Sequence, residues 1–212
     1  TPKLTLRPAQ GRIFNDPKRF VIAETGRRFG KTYVGLTKLL ASAAAAGGGL
    51  FYYCAPSYRM AKDIAWDLSK RIIPDRWVLK RHEGELKITL INGSKIELKG
   101  TESPDSLRGR SLNGAVLDEC AFMQATVWKD VIRPSLADKR GWALFCTTPS
   151  PEGCAGWFYE LCLLVKEPDK ADPTLAKSFD GKDWGYHHYS TVEGGNVPPE
   201  EIESARRELD EI

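Results

Sequence analysis

The chain has 212 residues, with 31 Lys+Arg against 28 Asp+Glu for a net charge of +3, and it is 42% hydrophobic and 10% aromatic. That apolar content is too high for intrinsic disorder, and the longest stretch of low polarity, Leu39 to Tyr53, is mostly Ala and Gly, which excludes a membrane helix there. The composition predicts a soluble globular protein of one large domain, or one domain plus a small appendage.

Phe20-Val21-Ile22-Ala23 is a short apolar run before a Gly-rich turn, and Lys31 to Ala46 then reads as a helix with Val34, Leu36, Leu39 and Leu40 available to one side. Ala43 to Gly49, four alanines and three glycines, marks the end of that helix. Leu50 to Ala55 is a second buried strand. Pro56-Ser57 starts a helix carrying Met60, Ala61, Ile64, Ala65 and Leu68 at helical spacing, closed by Pro74. This βαβα alternation predicts a mainly parallel sheet flanked by helices. Leu86, Ile88 and Leu90 alternate with Lys87 and Thr89, and Asn92-Gly93 turns the chain into Lys95 to Lys99, which predicts an antiparallel hairpin. Ala115-Val116-Leu117 and Ala143 to Cys146 supply two more strands, each ending in polar residues at the edge where open α/β sheets bind ligands. Residues Lys166 to Lys182 turn to Asp, Pro and Lys and read as a linker or loop. Pro199 to Ile212 is a final helix with Ile202, Ala205, Leu209 and Ile212 on one face. Because the chain opens on Thr1 and stops inside that helix, a longer natural protein is expected around it.

Thr25-Gly26-Arg27-Arg28-Phe29-Gly30-Lys31-Thr32 follows a predicted strand and opens a predicted helix, as a phosphate-binding loop must. Its amides and the positive end of the helix face a polyphosphate, Lys31 neutralises the terminal oxygens, and the Thr32 hydroxyl suits Mg²⁺. Thr25 stands where the common pattern has its first glycine. Ala115-Val116-Leu117-Asp118-Glu119 supplies the complementary half: Asp118 to hold the metal through water and Glu119 to orient and deprotonate an attacking water. No Asn-Lys-x-Asp guanine reader and no Leu-Ser-Gly-Gly-Gln run occurs, and a helicase needs two such cores where this chain has room for one. A single core leaves the γ-phosphate open on one side. It therefore calls for an arginine, from the loop (Arg27, Arg28) or from Ser106-Leu107-Arg108-Gly109-Arg110, of which Arg110 reads as an ordinary surface residue.

Together these residues resemble the large subunit of the terminase, the DNA-packaging motor of tailed bacteriophages. The resemblance rests on Gly26 to Thr32, on Asp105-Ser106-Leu107-Arg108-Gly109 ahead of Leu117-Asp118-Glu119, and on Thr147-Thr148-Pro149. It extends to Trp157-Phe158-Tyr159-Glu160-Leu161, and to His187 to Thr191 leading to Asn196-Val197-Pro198-Pro199-Glu200-Glu201-Ile202. It implies an α/β P-loop ATPase core of the RecA-like, additional-strand, catalytic-glutamate type. The core would span residues 1–170, with a small lid or linker subdomain at 171–212 leading toward a separate nuclease domain, so that this chain hydrolyses ATP without cutting DNA. It also implies that Lys31 and Thr32 bind phosphate and metal, that Arg27 is the loop arginine, that Asp118 is the metal carboxylate and that Glu119 is the base. Arg108 becomes a finger supplied to a neighbouring subunit, a role contributing on the order of 10³ to 10⁵ in rate. Thr147 and Thr148 match the coupling motif, and Gln10 matches the glutamine that reads adenine. The implied partners are double-stranded DNA bound without sequence preference, further copies in a ring, the portal and the small terminase subunit, in the host cytoplasm and away from membranes. Two other readings of the same residues stay open: another nucleic-acid-dependent ATPase, such as a helicase or repair fragment, and a slow nucleotide-dependent binding switch.

Residues 1–110 carry 21 Lys+Arg against 10 Asp+Glu, and residues 111–212 carry 10 against 18, so the first half is suited to face a polyanion. Cys54, Cys120, Cys146, Cys154 and Cys162 lack metal-ligand spacing and read as reduced thiols, mostly in the core. His187 and His188 are adjacent, point apart on a strand and suit no common metal, so no zinc site is expected. The segments around Trp66, Trp157 and Trp184 read as core or lid packing rather than base-stacking platforms.

Overall fold

The computed structural model describes residues 5–149 and 156–209, apart from the side chains of Glu208 and Leu209. Cys154, Ile212 and the Leu209 side chain lie outside the described residues.

The apolar runs become the middle of an eight-stranded sheet of order β3-β4-β5-β2-β6-β7-β1-β8. Its strands are β1 (Phe20–Thr25), β2 (Leu50–Ala55), β3 (Val78–His82), β4 (Lys87–Leu90), β5 (Lys95–Gly100), β6 (Gly114–Asp118), β7 (Trp142–Thr147) and β8 (Trp184–Tyr189). β5, β2, β6, β7, β1 and β8 run parallel, while β4 and β3 add antiparallel pairs at one edge. β7 therefore stands between the strand that feeds the phosphate loop and the strand that ends in Asp118.

Both faces of the central strands are covered, which is why they read as continuous apolar runs. Val21, Ala23, Phe51, Tyr53, Val116, Leu144 and Cys146 pack on one side with α1 (Pro8–Phe14), α2 (Lys31–Ala45) and the helical residues 58–72. Phe20, Ile22, Tyr52, Cys54, Ala115, Leu117 and Phe145 pack on the other with Trp128, Val131, Phe158 and Leu161. Gly35 lets α2 come close to the sheet, since a Cβ there would lie 2.8 Å from Val116 Cγ1. The hairpin turn serves α2 as well: Asn92 Nδ2 donates to the carbonyls of Ala43 (2.8 Å), Ala44 (3.1 Å) and Ala46 (2.7 Å), satisfying helix-end acceptors that the Ala/Gly run cannot cap.

The segment from residue 171 onward contributes a strand of the sheet as well as helices. β8 pairs in parallel with β1 from Phe20↔Trp184 to Thr25↔Tyr189. β3 and the helical residues 127–135, which carry a π-helical stretch at Val127–Ile132, are further elements absent from the sequence reading. Trp184 packs against Phe20, Trp128, Phe145 and Phe179, and Trp66 is buried, so both are packing residues. Trp157 packs on Phe158 and donates to the Met123 carbonyl at 2.7 Å. His187 turns to Asp16 (2.7 Å) and His188 to Glu24 (3.5 Å), on opposite sides of the strand. Cys54, Cys120, Cys146 and Cys162 are free and buried, and burial pushes the Cys54 and Cys162 thiols up to about 12.

Phe145 sits at the centre of the second cluster, with ring centroids 4.7 Å from Trp128 and 5.6 Å from Trp184. Truncation by Phe145→Ala is expected to cost about 3–5 kcal/mol, read as a lower urea midpoint at unchanged slope.

Candidate active site

The loop after β1 turns at Gly26, Arg28 and Gly30. Arg28 (φ 60°) and Gly30 (φ 91°) lie in the left-handed region, and Gly30 is the N-cap of α2. Gly26 is required by a neighbour, because a Cβ there would run into the backbone and hydroxyl of Thr191. Phe29 is fully buried and stacks on Tyr189 at 5.7 Å, so the loop is pinned to the protein by its one apolar side chain.

Lys31 opens α2 and is 8% exposed. Its Nζ donates to Thr148 Oγ1 (2.8 Å), Thr25 O (3.3 Å) and Gly26 O (3.4 Å), and lies 3.9 Å from Glu119 Oε1. Thr32 Oγ1 donates to Asp118 Oδ2 at 2.6 Å, and the buried Tyr53 hydroxyl donates to the same oxygen. Asp118 Oδ1 accepts the Glu119 amide at 3.1 Å. Burial, and then Asp118, raise the Tyr53 phenol well above its ordinary value, so it remains a donor. Glu119 takes a left-handed backbone (φ 52°) just beyond β6. Burial lifts its carboxyl above the ordinary Glu value and the Asp118 charge adds to this, while Lys31, the Thr148 backbone and Arg27 pull it back.

The phosphate loop, Lys31, Thr32, Asp118, Glu119 and Thr148 therefore meet at the carboxyl edge of β1, β7 and β6, as the sequence predicts for the loop and the acidic pair. Thr147 is buried, and its hydroxyl donates to the Thr148 carbonyl at 3.2 Å. Arg27 is exposed, and its charge reaches Glu119. Arg108 stands apart: its side chain is exposed and donates to Asp105 Oδ1 (2.7 Å) and to the Asp130 carbonyl (3.4 Å). Arg110 faces the buried Glu97 at 3.6 Å, a structural pairing away from the loop. Gln10 is buried beside the loop: its Nε2 donates to Phe29 O (2.9 Å) and its Oε1 accepts the Arg7 amide (3.0 Å), so the side chain braces the loop and the start of α1 and keeps a second N–H and a second lone pair.

The oxygen atoms of Thr32 and Asp118 form the hard donor set that a small divalent cation takes through direct and water-mediated contacts, so Mg²⁺ fits these residues. Two contributors have no role assigned to them from the sequence. Tyr53 reads as one more apolar residue of β2, with no spacing signal to pair it with Asp118. Asn196, whose amide reaches the Arg28 and Phe29 carbonyls, comes from a stretch remote in sequence. Tyr53→Phe removes a donor to a carboxylate and is expected to lower stability by about 1.5–3 kcal/mol in denaturant melts.

Residues 22–161 match the family described as terminase large subunit, T4likevirus-type, N-terminal. The large terminase subunit of Thermus phage G20c is 39% identical over 71 residues, covering 34% of this chain and 14% of that protein. That of Escherichia phage T5 is 29% identical over 150 residues, covering 68% of this chain and 33% of that protein. The chain thus spans a third or less of the length of these relatives. Among solved structures, the large terminase ATPase domain of Thermus phage P74-26 superposes with a TM-score of 0.77 at 21% identity, over 97% of this chain and 88% of that one. The large terminase of a second thermophilic bacteriophage, in complex with ADP, gives 0.74 at 19% identity, over 95% and 50%. At these identities the likeness is one of fold.

Proposed function

The chain belongs to the terminase large-subunit family of the T4-like-virus type, N-terminal part, and from that premise we propose that it is the ATP-hydrolysing motor domain that drives double-stranded DNA into a viral procapsid. The observation that carries this reading is the meeting of a helix-capping phosphate loop with a carboxylate pair. Thr32 bonds Asp118 at 2.6 Å, and Lys31 lies 3.9 Å from Glu119 with Thr148 bonded at 2.8 Å between them. The ADP and ATP-γ-S complexes of the second thermophilic phage's large terminase, a protein of the same fold, support ATP as the substrate.

In this reading the loop amides and the N-terminus of α2 bind the β- and γ-phosphates, and Lys31 exchanges carbonyl and hydroxyl partners for phosphate oxygens. Thr32 and Asp118 hold Mg²⁺, which when bound neutralises charge on the phosphates. Glu119 orients the attacking water and takes its proton, and the same carboxylate answers to Lys31, so base and cradle respond to one ligand. Thr148, bonded to Lys31 in this structure, loses that partner when Lys31 turns to phosphate. β7 and its end at Thr147 and Thr148 thereby report occupancy to the sheet. Arg27 contributes loop charge next to Glu119. Arg108, exposed on its own turn, is offered to the site of a neighbouring copy in a ring. The ATPase core then runs through β8 to Tyr189, and the connecting segment begins at Ser190. Exposed basic residues of the first half hold the DNA backbone without reading sequence.

Lys31→Ala is expected to abolish nucleotide binding, and Glu119→Ala to retain ATP while turnover falls at least about a hundredfold, measured as bound nucleotide against phosphate release. If Arg108 acts across subunits, neither the Arg108→Ala nor the Glu119→Ala protein turns over rapidly alone, and a mixture of the two regains activity. Failure of the mixture while each variant still assembles would rule out the neighbour's finger. DNA affinity should fall linearly on a log–log plot against salt, and a flat line would remove the backbone grip.

A further inference from the structure

The phosphate loop is gripped from outside by two amide side chains from opposite ends of the chain. Gln10 Nε2, on α1, donates to Phe29 O at 2.9 Å. Asn196 Nδ2, just past the short helix Thr191–Gly194, donates to the same oxygen at 3.0 Å and to Arg28 O at 2.9 Å. The surrounding contacts repeat the pattern: Gly26 N donates to Tyr189 O (2.8 Å), Arg7 donates to Gly194 O (3.1 Å), and Gly194 lies against Phe29, where a Cβ would come within 2.9 Å of the Phe29 Cα.

Peptide planarity gives this grip a consequence for ligand binding. In a trans peptide the C=O and the following N–H point in opposite directions. An amide cap that holds the Phe29 carbonyl therefore fixes the direction of the Gly30 N–H, which belongs to the cradle of a phosphate loop, while the Phe29 N–H donates within the loop to Gly26 O at 3.4 Å. The two carbonyls flank Phe29, between Arg28 (φ 60°) and Gly30 (φ 91°), and with the Phe29 N–H tied to Gly26 O the Phe29–Gly30 peptide is the one whose orientation rests on the two amide side chains.

We propose that Asn196 is a positioning residue for the phosphate-binding loop. Together with Gln10 it presets the loop amides for a nucleoside di- or triphosphate, and it ties the segment entering the C-terminal helix Pro199–Leu209 to the nucleotide site. The proposal rests on the ATPase reading above. It also accounts for Asn196 within Asn196-Val197-Pro198-Pro199, a stretch to which the hydrolytic site assigns no chemistry.

The test compares Asn196→Leu, which removes the donors, with Asn196→Gln, which keeps an amide. Asn196 is exposed, so neither change threatens folding. Binding of fluorescent ADP and steady-state ATP hydrolysis are measured in this chain, with Lys31→Ala as the control for the site itself. Asn196→Leu is expected to weaken ADP binding by roughly three- to thirtyfold, the equivalent of one or two net hydrogen bonds. KM should rise in step, with kcat falling less than KM rises, and Asn196→Gln should recover part of the affinity. Faster hydrogen exchange at the Gly30 amide in Asn196→Leu is expected as well. Unchanged ADP affinity in Asn196→Leu, or a fall in kcat with KM unmoved, overturns the proposal while wild type binds and Lys31→Ala does not. Absence of binding by the wild-type chain instead overturns the ATPase reading on which it rests.

Discussion

Lys31 carries an ammonium group into a place where the residue is only 8% exposed, and a cation so placed is tolerated only when oxygen atoms close around it. Those oxygens come from the ends of different strands: the Thr25 and Gly26 carbonyls after β1, the Thr148 hydroxyl after β7, and more distantly the Glu119 carboxylate after β6. Parallel pairing brings these ends to one edge, and the order β6-β7-β1 sets them side by side. The sheet topology and the solvation of one side chain are thus a single requirement. A phosphate that took over the ammonium would release several strand ends at once, which is how a small ligand gains purchase on a whole sheet.

The same edge stores backbone strain. Arg28 and Glu119 are non-glycine residues in the left-handed region, one in the loop after β1 and one directly after Asp118. Each such residue costs of order 1–3 kcal/mol and persists only where packing over-determines it. Here Phe29, fully buried beside Arg28, and Cys120, fully buried beside Glu119, provide that packing. The strained turn at Glu119 brings its carboxylate back toward Lys31 instead of letting it follow the strand into solvent. Stability is given up locally for a carboxylate that faces the Lys31 ammonium.

Much of this was legible in the sequence, for a physical reason: the central strands are covered on both faces and so are written as unbroken apolar runs, and Asn92-Gly93 announces its hairpin. The loop and the acidic pair were legible because a buried polyanion site needs those residue types at strand ends. β8 was not, because Trp184-Gly185-Tyr186-His187-His188-Tyr189 is an edge strand whose half-buried polar residues meet partners distant in sequence, such as Asp16 and Glu24. β3 was hidden in the same way, with Leu79 exposed and Lys80 and Arg81 on an edge. Gln10 stands beside the loop, as its sequence position suggests, but only the fold reveals that its amide also bonds the Phe29 carbonyl and the Arg7 amide. Tyr53 and Asn196 carry no local signal, because each acts through a contact across more than sixty residues of chain.

The uneven distribution of charge along the chain survives folding. Among the described residues, ion pairs in the basic half are mostly local: Arg59–Asp63, Lys70–Asp67, Arg81–Asp75 and Lys87–Glu85 join residues close in sequence, and no carboxylate of the acidic half pairs with these cations. Among the described residues the pairs that cross are Lys31–Glu119, His187–Asp16 and His188–Glu24, and two of these depend on histidine. Exposed pairs of the Arg59–Asp63 kind contribute about 0–1 kcal/mol, so such cations can exchange a carboxylate for a phosphate at little loss. Lys99 and Arg110 are different, because both answer to Glu97, whose side chain is 4% exposed and would be left charged and unpaired if they turned away. The surplus positive charge is therefore available to a polyanion at the exposed pairs and locked into the fold around Glu97, a division that burial decides and charge counting alone does not.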